Sequence, residues 1–134
     1  MLRSGLALII ALSAAVPADA QTWRSVTSNA QAENFIDTSR IVRTGNRVRY
    51  WHRSRFASVL LTSDGRRFNE LWALLDADCE TISYRLIQSI NYLDDRQVET
   101  VDHPDSEWEE VTPGAQGEDL IRAACDAAPV PTVA

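Results

Sequence analysis

The chain has 134 residues, which suits a single domain, and its formal net charge is −6 at pH 7. All thirteen basic residues are arginine and face nineteen aspartates and glutamates, so nucleic acid is not an expected partner. Five glycines, two histidines and two cysteines leave little material for a phosphate-binding loop, a metal centre or a nucleophilic thiol.

Residues 1–20 have the pattern of a secretory signal peptide. Arg3 supplies a positive charge, an apolar run of about twelve residues follows, and residues 18–20 read Ala-Asp-Ala, a typical cleavage site. A membrane span needs roughly twenty apolar residues, so this run is too short to be one. We expect cleavage after Ala20 and a periplasmic, secreted or cell-surface protein without a lipid anchor. The alternative is a short N-terminal helix that stays on the chain.

Two short strands are predicted first, at residues 22–27 and 34–37. The strongest alternation follows at residues 47–56, where a period of two predicts a strand with one mostly apolar face. Its other face carries five residues: Arg47, Arg49, Trp51, Arg53 and Arg55. Residues 62–65 read Thr-Ser-Asp-Gly and predict a turn, because Asp-Gly readily adopts positive φ. Residues 70–78 then predict the returning strand of a hairpin.

A further strand is predicted at residues 81–93, with its apolar side chains on one face. That face would hold Ile82, Tyr84, Leu86, Ile90 and Tyr92, interrupted by Gln88. The next segment, residues 94–110, is strongly acidic and predicts a solvated loop that leads into a short strand at residues 107–111.

The period changes near the C-terminus. Residues 118–127 place four residues on one side at helical spacing: Leu120, Ile121, Ala124 and Cys125. Cys79 and Cys125 are an even pair, which in an oxidising compartment favours one disulfide, and two free buried thiols are the alternative. Closing that loop would stabilise the fold by about 4 kcal/mol. The tail at residues 128–134 contains two prolines and is expected to be disordered, so the folded domain would be residues 21–127.

Few residues are candidates for catalysis or metal binding. His52 lies mid-strand, where a packed histidine is expected, and no serine sits in a G-x-S-x-G turn. His103 with Asp102 and Asp105 could hold a divalent ion weakly, without the ligand spacing of zinc or calcium sites. We therefore expect no enzyme activity, no metal and no cofactor. A small metal-dependent enzyme that uses His103 is the alternative.

The arginine-rich strand face is the candidate binding surface. Arg47, Arg49, Arg53 and Arg55 around Trp51 could bind an acidic protein or a polyanionic glycan through ion pairs and cation–π contacts. Alternatively, these arginines pair across the hairpin with Glu70, Asp76 or Asp78, as ordinary cross-strand pairs do.

Short motifs along the chain give a family resemblance. In order, they are Trp23, Phe35-Ile36-Asp37-Thr38-Ser39, Arg43-x-Gly45-Asn46-x-Val48-x-x-Trp51, Asp78-Cys79, Trp108-x-x-Val111-x-Pro113-Gly114, and residues 120–125. Together they cover nearly all of the expected mature chain, and this order resembles the surface-adhesin protein E family.

The resemblance implies an α+β fold: an antiparallel meander of about six strands with a C-terminal helix packed on one face and tethered by a disulfide. It also implies an exported, non-enzymatic module that binds host extracellular or serum proteins and pairs into a homodimer through its sheet. The family's named member has a lysine-rich binding surface, whereas this chain has no lysine. A periplasmic envelope or stress-associated protein with an endogenous partner is the alternative. No transmembrane span and no nucleic-acid partner are expected.

Overall fold

The computed structural model describes residues 21–129, so the predicted signal peptide and residues 130–134 lie outside the described part. Within it, eight strands form one antiparallel sheet against which a single helix packs. The elements are β1 (Trp23–Ser28), β2 (Ala32–Asp37), β3 (Val42–Thr44), β4 (Arg47–Leu61), β5 (Arg67–Asp78), β6 (Ser83–Leu93), β7 (Arg96–Asp102), β8 (Glu109–Glu110) and α1 (Gln116–Ala127). The main order is β1-β2-β4-β5-β6-β7, with β3 beside β4 and β8 beside β6. The predicted α+β meander with a C-terminal helix is confirmed.

The β4–β5 hairpin forms the centre of the sheet, as its alternation predicts. Its two strands pair directly from Arg47 opposite Asp78 to Arg55 opposite Glu70. The turn contains Gly65 at φ 85°, a conformation that glycine adopts without a steric penalty. β5 begins three residues earlier than expected, and the register between the two strands is irregular beyond Arg55 and resumes at Leu60 opposite Phe68.

The hydrophobic core lies between the sheet and α1. The helix contributes Leu120, Ile121 and Ala124, all buried at its apolar face. The sheet contributes mainly β-branched and small side chains with one tyrosine: Ile36, Val48, Tyr50, Ala73, Leu75 and Ala77. Ala128, which we expected to begin the disordered tail, is also buried, and its N–H donates to the carbonyl of Ala124. The ordered helix end therefore includes this residue.

The disulfide between Cys79 and Cys125 is present, with the two Cα atoms 5.9 Å apart. It connects the residue after β5 to the last turns of α1 and closes a loop whose ends are 46 positions apart in sequence. The prediction that this bond pins the helix to the sheet is confirmed. Between residues 21 and 129, no helix is long and apolar enough to cross a membrane.

The predicted apolar face of β6 is wrong, because the strand contains a bulge. Leu74 pairs with Gln88, but the next residue, Leu75, pairs with Leu86, so Ile87 is an extra residue on β6. An extra residue in a strand transfers the following side chains to the other face. Tyr84 and Leu86 therefore pack against the helix-side core, whereas Ile90 and Tyr92 lie beside Trp72 and Glu70 on the opposite face.

Two strands were missed in the sequence. β7 lies in the acidic segment that we predicted to be a loop, and it pairs with β6 on one side. As the last strand of the main order it needs only one neighbour, and acidic side chains are tolerated on such an edge. β3 has three residues, too few for a periodic signal, while β8 is limited to Glu109–Glu110 within the longer strand predicted there.

Candidate functional site: the open face of the sheet

The face of the sheet opposite α1, here called the open face, has no helix packed over it in the described part of the chain. It carries the odd-numbered residues of β4, so the structure brings the five predicted binding residues Arg47, Arg49, Trp51, Arg53 and Arg55 together. The even-numbered residues Val48 and Tyr50 point to the core instead. The two-residue period of β4 is the cause of this separation.

Arg53 occupies the inner half of the open face and is held on several sides. Its guanidinium donates from Nε to Glu70 Oε1 at 2.6 Å, and its side chain is 14% exposed. It also lies over the rings of Trp23 and Phe35, 5.5 Å from each centroid. Glu70, which is buried, further accepts a 3.2 Å hydrogen bond from Trp72 Nε1. Arg53 is therefore a packed structural residue as much as a surface charge.

Aromatic rings surround this inner pair. Trp72 is the central ring, with centroid distances of 5.0 Å to Trp23, 6.4 Å to Trp51 and 4.9 Å to Tyr92. Edge and tilted packing of this kind is favourable for aromatic pairs. Burial, followed by the nearby charge of Glu70, raises the pKa of Tyr92. Three strands that are distant in sequence, β1, β5 and β6, thus build one aromatic cluster with β4.

Arg49 occupies the outer half and is far more accessible, at 52% side-chain exposure. It donates from Nε and Nη2 to the two carboxylate oxygens of Asp76, at 2.8 and 3.1 Å. Arg85 donates to the same carboxylate at 2.9 Å. These bonds, led by that from Arg49, hold the pKa of Asp76 below its ordinary value although burial opposes the shift. Trp108 lies next to this group, 4.7 Å below Arg47 and 5.4 Å below Arg85.

The cross-strand pairing offered as the alternative for the arginine stripe is present on the open face. Cross-strand ion pairs join Arg47 to Asp78, Arg49 to Asp76, and Arg53 and Arg55 to Glu70. With Arg40–Asp37 and Arg85–Asp76, six arginines share four carboxylates. Glu33, directly opposite Arg55, adds a further carboxylate to the same face, so acids of the neighbouring strands match much of the guanidinium charge.

Three residues of this surface were not predicted from the sequence. Trp108 reaches the face from the segment before β8, Arg85 comes from β6 before the bulge, and Arg40 stacks 5.8 Å from Trp51. Arg40 also binds Asp37, a fully buried carboxylate. Burial alone would raise the pKa of Asp37, but hydrogen bonds from Ser39 and Arg40 bring it below its ordinary value. The local sequence does not predict that these three residues lie on the open face, because their positions depend on tertiary contacts.

The two histidines lie away from the open face. His103 Nε2 is 3.0 Å from Ser89 Oγ, and residues 21–129 contain no group of three or more His, Cys, Asp or Glu side chains able to hold a metal. His52 lies on the helix side, with Nε2 2.9 Å from Ser54 Oγ and 3.2 Å from Asn34 Oδ1. Burial lowers the pKa of His52 to about 4.

These features define the class of protein as a small α+β domain in which a disulfide-tethered helix covers one face of an antiparallel sheet and the other face is open. Residues 23–126 match the model of the Surface-adhesin protein E family, and the chain belongs to that family. The family predicted from the motifs is thus confirmed over most of the chain. Comparison with curated proteins gave no match.

Proposed function

We propose that the protein is an exported, non-enzymatic binding module whose open face binds a protein partner at the cell envelope or outside the cell. The observation that carries this proposal is the outer half of that face. There, half-exposed Arg49 lies beside Trp51, Arg47 and Trp108. Arginine and tryptophan are the residues most enriched at the centres of protein interfaces.

The charge of the surface selects the class of partner. Arg47, 62% exposed with a single 4.0 Å ion pair to Asp78, and half-exposed Arg49 keep accessible guanidinium groups on this face of an acidic protein. An acidic protein surface is complementary to it. The family description, a surface adhesin, agrees with a partner outside the cytoplasm.

Arg53 is not the residue to test first, although the sequence places it at the centre of the stripe. Its removal would leave buried Glu70 with only a 3.7 Å ion pair to Arg55 and the hydrogen bond from Trp72, and would disturb the aromatic cluster. Arg47 and Arg49 are more than half exposed and can be changed with little effect on the fold. Loss of binding in these variants would therefore report on the surface itself.

Site-specific photo-crosslinking in the native cell tests the binding face. A crosslinking amino acid in place of Arg49 should give a defined adduct, which mass spectrometry identifies. The matched control is the same amino acid in place of Arg122, an exposed arginine of α1 that pairs with Glu118. The purified partner should then lose at least about tenfold in affinity when Arg47 and Arg49 are both replaced by alanine.

Either of two results would refute the binding face: equal adducts from positions 49 and 122, or unchanged affinity of the Arg47→Ala/Arg49→Ala variant. The adduct also identifies the kind of partner. A host protein fits an adhesin, whereas a protein of the same cell fits the envelope-associated alternative.

Export and self-association are tested separately. N-terminal sequencing of the protein from the periplasm, outer membrane and medium should find a chain that begins at Gln21, and an intact Met1 in the cytoplasm would refute export. A homodimer through the sheet edges would join β1 or β7, the two ends of the main strand order. Sedimentation of the purified protein at increasing concentration measures it directly.

A further inference from the structure

A cleft opens between the sheet and the first turn of α1, on the face opposite the proposed binding surface. Its volume is about 490 Å³, within the range of small-molecule sites. Apolar side chains from three regions form its walls: Leu75 from β5, Val111 after β8, and Leu120 and Ile121 from the helix. Such walls favour an apolar occupant.

Tyr50 contributes a polar atom to the cleft. The residue is 1% exposed, and no hydrogen bond joins its hydroxyl to any group in residues 21–129. In that same part of the chain, Arg43 Nε is the sole side-chain nitrogen or oxygen that is both fully buried and unpaired. The Tyr50 hydroxyl is therefore not fully buried, and the cleft is the space that this residue lines. A buried phenol with an unused donor costs free energy unless water or a ligand accepts its hydrogen bond.

His52 lies beside Tyr50 in the lining and is held in one orientation. Its Nε2 contacts Ser54 Oγ and Asn34 Oδ1, and Asn34 is itself bonded to Thr27 and Gln116. Because burial lowers its pKa to about 4, the ring is uncharged at neutral pH. The interior of the cleft thus presents hydrogen-bonding groups without a full charge.

The mouth of the cleft is acidic. Glu109 and Glu110 line it, and Glu109 Oε2 accepts a 2.7 Å hydrogen bond from Tyr84, whose ring forms part of the wall. No arginine is among the lining residues. An anionic ligand would lose its hydration in the cleft and meet two carboxylates without a compensating cation.

We propose that this cleft is a binding site for a small, uncharged, largely apolar molecule that carries a carbonyl or hydroxyl oxygen. The oxygen accepts the hydrogen bond of the Tyr50 hydroxyl, while the apolar part fills the space between Leu75, Val111 and the helix. The site is separate from the open face and does not depend on the protein partner.

Two probes with the same ring test the proposal: 1-naphthaleneacetamide, which is uncharged, and 1-naphthaleneacetate, which is anionic. Each is titrated into the ¹⁵N-labelled protein, purified after export, and followed by amide chemical shifts. The amide should bind saturably with a Kd on the order of 0.1 to 1 mM and shift the signals of Ala115 and Gly117 at the cleft. The acetate should bind at least about tenfold more weakly.

Three variants locate the interaction. Tyr50→Phe should weaken binding of the amide about fivefold to tenfold while leaving the unfolding midpoint unchanged, since the hydroxyl has no partner in the fold. Ala115→Leu, at the partly exposed rim, should fill the cleft and abolish binding. Replacing Glu109 and Glu110 together by glutamine should reduce the ratio between the affinities for the amide and the acetate about threefold.

The proposal fails if the amide does not bind saturably or if its shifts lie outside the cleft. It also fails if Tyr50→Phe retains full affinity, or lowers the unfolding midpoint and thereby shows that the hydroxyl is bonded within the fold. Equal affinity for the two probes would overturn the assigned ligand charge.

Discussion

The two faces of the sheet bury their side chains by different means. On the helix side, aliphatic and small residues such as Val48, Ala73 and Ala77 pack against α1, which the disulfide tethers. On the open face, aromatic rings and guanidinium groups cover one another: Arg53 lies over Trp23 and Phe35, and no second layer of the described chain covers them. The same alternation in β4 supplies both faces.

The difference shows how arginines and aromatic rings on one face of a sheet can cover one another without a helix packed over them. Arginine stems and aromatic rings shield apolar area while the charged groups remain hydrated or paired. The covered face depends on the position of one helix, whereas the open face depends on contacts within the sheet. Changes on the two faces should therefore have separable effects on helix docking, on pH dependence and on stability.

The largest effect is expected on the covered face, from loss of the helix tether. Replacing Cys79 and Cys125 together by alanine should lower the free energy of unfolding by about 4 kcal/mol, because a loop with ends 46 positions apart is no longer closed. Chemical denaturation measures the loss, and reduction of the unmodified protein should reproduce it. Amide hydrogen exchange should rise most in α1. If exchange rises equally in β4 and β5, the disulfide stabilises the whole sheet, and the expectation that it acts mainly on the helix is wrong.

The second effect is a pH dependence that belongs to the covered face. The pKa of His52 is about 4 in the fold, below the ordinary 6.5 of an unfolded chain, so between these values the unfolded state binds the additional proton. Stability should fall by up to about 3 kcal/mol as the pH drops from 6.5 to 4. Urea denaturation across this range measures the slope.

A pair of histidine variants isolates that effect. His52→Gln should flatten the slope between pH 6.5 and 5, and His103→Gln should leave it as it is. The lowered carboxyl pKa values of Asp37 and Asp76 cause a loss of stability that begins only below about pH 5, so the comparison is made above that pH. A slope that survives in His52→Gln would show that the buried ring is not its origin.

The third effect concerns the inner half of the open face. Arg53→Ala should lower the free energy of unfolding by about 2 kcal/mol, because it leaves Glu70, 6% exposed, without its guanidinium and removes the cover over Trp23. Chemical denaturation again gives the value. Arg53→Lys should recover part of the loss by keeping the charge without the planar stacking. If the stability of Arg53→Ala is unchanged, the guanidinium does not contribute to stability, and the aromatic rings alone shield the inner half of the open face.

The sequence predicted much of this comparison, since period and spacing are local properties. The alternation of residues 47–56 was sufficient to place Arg49 and Arg53 on one face, and the helical spacing around Cys125 placed the disulfide on the covered side. The bulge at Ile87 was not predictable from alternation, because it adds one residue to a strand without changing its composition. For the same reason Tyr92 was assigned to the wrong face.

The candidate sites were less predictable than the fold. The five stripe residues lie together as expected, but the contrast between packed Arg53 and exposed Arg49 depends on partners from other strands, Trp23 and Arg85 among them. The contact of Arg53 with Trp23 joins residues thirty positions apart, and such a contact leaves no local signal. The cleft beside Tyr50 is likewise formed by packing of α1 over the sheet, so its lining comes from separate parts of the chain.

The smallest effect should come from the outer half of the open face, where Arg49 is 52% exposed. Arg49→Ala should change the free energy of unfolding by less than about 1 kcal/mol, because an exposed ion pair contributes little and Asp76 keeps its bond from Arg85. Denaturation beside Arg53→Ala gives the comparison directly. If the two substitutions cost the same, the open face is a single structural unit and its outer half has no freedom to serve a partner. If Arg49→Ala is nearly neutral, as expected, the exposed guanidinium is not needed for the fold and is available to a partner, which is what a binding surface requires.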